Sequence, residues 1–173
     1  MREAATGRQD GVNTDEARQR FTHARVATLA TITASGGPHL VAVTFAVDGD
    51  IIYTATDGKS KRGTRLRRHD NIQAEPRVSL FVQHWDEDWT KLWWVRATGL
   101  AQVTAGSSTV EHVVDLLRRK YDQYQQVEVG GPIIEVAVHT WHGWAAGPRP
   151  QAPDRRRRHQ HQFTIETEPA SPW

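Results

Sequence analysis

The alternation of apolar and polar positions divides the chain into a β-rich body with helices set between strands. Thr14 is placed to cap a helix, with Asp15 and Glu16 in its first turn and Ala17 and Phe21 four apart on one face, so a short helix is predicted to about His23. Arg25 to Thr33 (RVATLATIT) is rich in β-branched residues and reads as a strand. The turn Ala34-Ser35-Gly36-Gly37-Pro38 leads into a second strand, His39 to Val47. Asp48-Gly49-Asp50 makes a tight hairpin into a third strand, Ile51 to Ala55. Loops this short join antiparallel neighbours. Arg77 to Trp85 and Leu92 to Thr104 read as the fourth and fifth strands, with Gly99 marking a bend or bulge, and Ile133 to Val138 as the sixth. Ser107 is read as the cap of a helix to about Tyr121, with Val110, Val113, Val114 and Leu117 at helical spacing, and Trp141-His142-Gly143-Trp144 as a turn.

Six strands with hairpin-length loops and a few short helices predict a mainly β fold, a small closed or partly closed barrel. A parallel α/β sheet is disfavoured because the first three strands lack crossover helices. The expected organisation is a loose N-terminus over 1–13, a β-barrel domain over 14–146, and a tail over 147–173. The tail's prolines, its Arg155–Arg158 run and its lack of apolar period predict disorder.

Composition narrows the classes. Hydrophobic residues make up 38% of the 173, enough for one core, and no run approaches a membrane span. No basic-then-apolar segment opens the chain, so a cytoplasmic protein is expected. The absence of cysteine excludes disulfides, thiolate metal sites and cysteine nucleophiles. Net charge is only +2, and residues 1–146 hold 17 basic and 17 acidic side chains. A field spread over the surface to attract nucleic acid is therefore not expected; any cationic function is local.

The most pronounced local signal is KSKRGTRLRR, residues 59–68, with six Lys or Arg and no acid. It follows a strand directly. A helix starting near Lys61 would put Lys61, Arg65 and Arg68 on one face and point Leu66 inward. Such a segment captures an anion through its cations and helix-start N–H groups, aided by the hydroxyls of Thr54, Thr56 and Ser60. The competing reading is a solvated basic helix. The second signal is aromatic: Trp85, Trp89, Trp93 and Trp94 fall within ten residues. Adjacent Trp93 and Trp94 face opposite sides of a strand, so one can pack inside while the other meets an interface or a flat ligand. A flat ring with a phosphorylated tail would use both signals, and a cofactor of that kind needs no reactive side chain. No phosphate-loop motif, no nucleophile–base pair and no convincing metal set appears; His139 and His142 straddle a strand end.

Taken together, ARVATLATITASGGPHLVAVTF, DGDIIYTATDGKSKRGTRLRR, EPRVSLFV and WWVRATGLAQV resemble the split-β-barrel flavin/deazaflavin oxidoreductases, the pyridoxamine-5′-phosphate-oxidase-like proteins, and within them the actinobacterial branch that uses coenzyme F420. The resemblance covers about residues 14–146. It implies a six-stranded, FMN-binding-like split barrel working as a homodimer, with cofactor sites in grooves between the subunits. It implies that Thr54, Ala55 and Thr56 at the third strand's end, with Lys59, Ser60 and Lys61 after it, hold the cofactor phosphate. An Asn frequent in the family one helical turn further on is replaced here by Thr64 and Arg65. The strand Leu40–Thr44, with Val41 and Val43, would run along the ring system, and Trp89 and Trp93 would wall it. Arg62, Arg65 and Arg68 would suit the polyglutamate tail of F420.

The expected function is hydride transfer between reduced F420 and a small conjugated or quinone-like acceptor. No side chain stands out as a proton donor, with His84 the candidate. The alternatives are an FMN-dependent oxidase or reductase on the same fold, and a non-catalytic carrier of F420 or a tetrapyrrole. A nucleic-acid binder is disfavoured by the neutral body.

Overall fold

The computed structural model describes residues 11–57, 66–127 and 129–147. In chain order the elements are β1 (Gly11–Val12), α1 (Thr14–His23), β2 (Ala27–Ile32), β3 (Pro38–Val43), β4 (Ala46–Asp48), β5 (Ile51–Asp57), α2 (Arg67–Ala74), β6 (Arg77–His84), β7 (Trp93–Thr104), α3 (Ser107–Lys120) and β8 (Val129–Ala145). All pairings are antiparallel, in the order β3-β2-β6-β7-β8-β5-β4, with β1 added against β8. The two ends of that order, β3 and β4, are consecutive in the chain, so two residues, Thr44 and Phe45, carry it from one edge of the sheet to the other. That is how a barrel closes with a split.

Eight strands replace the expected six for two reasons. The second strand breaks at Thr44–Phe45, and Gly11–Val12 pairs with Trp144 and Gly143. Residues 11–13 are thus part of the body and not of a loose end; Asn13, not Thr14, caps α1 by accepting the Glu16 N–H at 2.9 Å. Ser107 is likewise the first residue of α3, whose N-cap is Gly106 without a side-chain cap. The expected Trp-rich turn is the end of the 17-residue β8, held straight by twelve pairings with β7. The basic helix begins later than expected, at Arg67, so of the Lys61–Arg65–Arg68 face only Arg68 lies among the described residues. The tail beyond Gly147 lies outside them. Among the described residues no helix is long and apolar enough to cross a membrane.

Inward positions of the strands alternate as the pleat requires, and Leu29, Ile52, Leu80, Val95 and Val136 are fully buried. Phe21 of α1 plugs this core, 4.9 Å from the Phe45 ring and 5.2 Å from Trp141. A second cluster seats α3 on β4 and β5 through Val113, Leu117, Tyr121 and Tyr53. The α3 end is tied to the barrel's break. Tyr121 Oη accepts the Phe45 N–H at 3.1 Å and shares its proton between the carbonyls of Arg25 (2.9 Å) and Phe45 (3.0 Å).

Beside it, Lys120 Nζ lies 3.6 Å from the centroid of the Phe45 ring and is buried without a hydrogen-bond partner among the described residues. Burial, with the Arg25 guanidinium nearby, pushes its amine down to about 8. The unfolded chain, with an ordinary lysine, then holds the proton through a window in which the fold has released it, so stability rises with pH above 8. Tyr121 works in the opposite sense above pH 10, because burial raises its hydroxyl. Chemical denaturation is therefore expected to show a gain on the order of 1 kcal/mol between about pH 8 and 10, reduced from the full linkage value because the side chain is partly in water. Lys120→Met should abolish the slope; a slope kept in that variant would assign it to another group.

Candidate functional site

Where β3 gives way to the break, its last residues face the end of β5 across a groove of about 310 Å³. Ala42, Val43 and Thr44 form one wall, Thr54, Ala55 and Thr56 the other, and Leu66 and Arg68 at the start of α2 close it with Tyr124. The opening has a cause in the ladder. Ala55 pairs with Ile133, but Asp57 pairs with Val129, so β8 bulges opposite Thr56. The bulge contains Gly131 at φ 87°, a left-handed conformation that glycine adopts without a Cβ penalty.

Thr54 and Thr56 are buried hydroxyl residues on a strand otherwise apolar in its interior. Thr56 Oγ1 is buried without a hydrogen-bond partner among the described residues. An orphaned hydroxyl in a groove wall costs about 1–3 kcal/mol unless a ligand or water meets it. Leu66, the N-cap of α2, supplies no side-chain cap, and its carbonyl accepts the His69 N–H at 2.8 Å, which turns the first residues of α2 across the groove mouth. Tyr124 Oη meets Thr44 Oγ1 at 2.6 Å and fixes the opposite wall.

A second, larger groove of about 610 Å³ lies elsewhere, between the end of α1 and the ends of β6 and β7, and shares no residue with the first. Trp93 is there, stacked with His84 at 5.9 Å and 19° between planes, with the Arg20 guanidinium 5.4 Å from its centroid. His84 and Trp93 are directly paired across β6 and β7, which explains the stack.

Of the residues expected from the sequence, Val43, Thr54, Ala55 and Thr56 converge on the first groove. Val41 does not line it; opposite Leu29 in the ladder, it packs against the core. What β3 offers there is its edge, since it is the last strand of the sheet and alternate backbone groups face away from β2. Lys59, Ser60, Lys61 and Arg65 lie outside the described residues. Trp89 sits in a short 3-10 turn, 59% exposed, on neither groove. His84 and Trp93 lie in the second groove, away from the buried threonines. His139 and His142 are both exposed within β8, and among the described residues neither belongs to a group of three or more His, Asp or Glu that could hold a metal. Sequence reading missed Ala42 and Tyr124. Only the Tyr121–Tyr124 spacing hinted at the latter.

The fold has counterparts of known structure. A conserved hypothetical protein of Mycobacterium tuberculosis is 23% identical, covers 80% of this chain and 89% of its own, and superposes with a TM-score of 0.65. A putative 5-nitroimidazole antibiotic resistance protein of Bacteroides thetaiotaomicron is 12% identical over 77% of this chain and 84% of its own, with a TM-score of 0.62. A FAD-binding protein of Mesorhizobium loti is 18% identical over 77% and 94%, with a TM-score of 0.60. At these identities the likeness is one of fold. No curated protein matches the sequence. Residues 13–145 do match the family described as pyridoxamine 5′-phosphate oxidase, a span that holds the barrel and both grooves. By that match, and by a split barrel with a groove at its break, the chain belongs to the pyridoxamine 5′-phosphate oxidase family.

Proposed function

We propose that this protein is an F420-dependent oxidoreductase of the family, moving a hydride between the reduced deazaflavin and a small conjugated or quinone-like acceptor. One observation supports this reading: the Thr56 hydroxyl, buried without a partner among the described residues, lies in the same groove as Thr54 and the Arg68 guanidinium. Those groups are donors for an anion, and they stand at the two ends of the basic segment 59–68. When bound, the cofactor supplies the hydride chemistry, so the chain needs no nucleophile of its own. Thr54 and Thr56 would hold phosphate oxygens, the free edge of β3 would lie along the ring system, Lys59 and Lys61 would add charge, and Ser60 would add a hydroxyl. The cations of the segment suit a polyanionic tail, which favours F420 over FMN.

The proposed homodimer rests on the outward face of β3, β2, β6 and β7. Leu40 is 60% exposed, Ile32 lies on the same face, and the tilted ring pair Phe81 and Trp94 lies beside them, 5.9 Å between centroids. Ala42 belongs both to this face and to the groove, so a second subunit seated there would roof the cofactor. FMN is the second reading, favoured by the FAD-binding neighbour of the same fold.

The test is to titrate F420 and FMN side by side at low and high salt, with Thr56→Val as the site probe. Valine keeps the shape and removes only a hydroxyl that has no partner among the described residues, so the melting temperature should hold or rise. F420 affinity should fall roughly 10–100-fold, the equivalent of one hydrogen bond to a charged group. Unchanged affinity in the variant would remove the phosphate from this groove; binding of FMN alone would select the second reading.

A further inference from the structure

The second groove joins two features that the cofactor reading leaves unused. Its floor is apolar: Ala24, the edge of Trp93, and Val26, which is 55% exposed. Its rim is cationic: Arg20 and Arg25, with His23 and His84 beside them. The two arginines are not equivalent. Arg20 is spent on Glu16, donating from Nε at 3.0 Å and from Nη2 at 2.7 Å, while lying over Trp93. Arg25 has no carboxylate partner among the described residues. It gives one N–H to the Lys120 carbonyl at 2.5 Å and rests 4.5 Å from the Tyr121 ring centroid. A guanidinium carries five N–H groups in a fixed fork, so most of its donors remain.

The walls are held before any ligand arrives. Glu16 orients Arg20, Arg20 and His84 pin Trp93 between them, and the Gln19 carbonyl takes the His23 Nδ1–H at 2.7 Å, leaving Nε2 toward solvent. Helix-end compensation accounts for Arg20 and His23, which sit in the last turn of α1. Arg25 lies past the C-cap Ala24 and gives one N–H to the last carbonyl of α3, which leaves the rest of its donor fork for the groove. We infer that this groove is a second binding site, for an amphipathic organic anion: a carboxylate or sulfonate on an aryl or short aliphatic body, with Arg25 taking the charge and Val26, Ala24 and the Trp93 edge taking the body. At about 610 Å³ the groove is within the range of small-molecule sites. The inference does not depend on which cofactor the first groove takes.

The probe is 2-naphthoate set against its neutral amide, 2-naphthamide, titrated by calorimetry into the full chain. Two-dimensional NMR follows the Trp93 indole N–H and the His84 ring. The carboxylate is expected to bind about 5–10-fold more tightly than the amide at low salt, with the preference shrinking as salt is raised. Arg25→Gln should erase the preference. Gln83→Glu, an exposed wall position whose substitution adds a negative charge, should weaken the carboxylate severalfold and leave the amide alone; if Arg25→Gln fails to fold, this variant decides. Equal binding of the two probes, a preference that survives Arg25→Gln or Gln83→Glu, or resonance shifts at Thr54 and Thr56 instead of Trp93 and His84 would each overturn the assignment.

Discussion

Gly99→Ala is expected to cost roughly 3 kcal/mol or more and to lower the melting temperature by on the order of 10 °C. A Cβ at this position would stand 2.3 Å from the Ala137 carbonyl oxygen, 2.9 Å from its carbon and 3.0 Å from Val136 Cγ1. Two of those atoms are backbone, in the central β7–β8 pair, so no rotamer change relieves the clash. The register shifts at this point, Thr98 pairing with Thr140 and Gly99 with Val138, so β8 carries an extra residue, His139, and the close approach lies beside that bulge. The nearby bond from Ala101 N–H to the Pro76 carbonyl at 2.8 Å would be displaced with it. Thermal melts and the soluble yield of the variant measure the effect. Gly36→Ala, in the β2–β3 turn, serves as the comparison, because its added Cβ meets nothing within 4 Å and only the left-handed backbone is strained. If Gly99→Ala melts no lower than Gly36→Ala, the β7–β8 pair has room that the structure does not show.

Gly99 also illustrates what the sequence carries by itself. A lone glycine in LWWVRATGLAQVT marks a bulge because nothing else in a strand calls for one. β2 was legible for a similar reason: Ala27, Leu29 and Thr31 alternate with Thr28, Ala30 and Ile32, and the first set is the buried one. The α3 pattern of Val113 and Leu117 was equally local, and both side chains are fully buried. The break at Thr44–Phe45 had no such mark. HLVAVTFAV reads as one continuous strand, and what interrupts it is a tyrosine hydroxyl 76 residues away. The C-terminal end of β8 misled in the opposite direction. Gly143 between two tryptophans suggests a turn, yet Trp144 pairs with Trp94, and Gly143 with both Val95 and Val12.

The site divides along the same line. Thr54 and Thr56 could be named because a strand's own residues and the cations after it suggest an anion site. Ala42 and Tyr124 could not, because they join the groove only through the closure of the barrel and the seating of α3. The two tryptophans expected beside the ring lie elsewhere, Trp89 exposed in a short 3-10 turn and Trp93 in the second groove. Trp93 faces His84 by register, and that pair walls the other groove.

The tyrosine that makes the break gives the second large effect. Tyr121→Phe is expected to cost about 2–3 kcal/mol, because the Phe45 N–H is left buried without a partner while the carbonyls of Arg25 and Phe45 lose their shared donor. The substitution is a narrow one. Phenylalanine keeps the ring, so the Arg25 contact at 4.5 Å and the edge-on Tyr124 contact at 5.7 Å remain, and only the hydroxyl is removed. Burial raises the Tyr121 hydroxyl above its ordinary range, so it stays protonated, and able to donate, at neutral pH. The effect should not stop at stability. Phe45 follows Thr44, the residue that meets Tyr124 at 2.6 Å and forms a wall of the first groove. Loosening Phe45 frees that wall, so F420 affinity should fall together with the melting temperature. Tyr124→Phe separates the two consequences: it removes only the more exposed Thr44 bond, and it should disturb binding with a smaller loss of stability. Denaturant unfolding of both variants, paired with cofactor titration, reads the outcome. A Tyr121→Phe protein as stable as the parent would mean that the break is held by packing of Phe45 against Phe21 and not by the hydroxyl; a destabilised variant with unaltered affinity would separate the groove from the break.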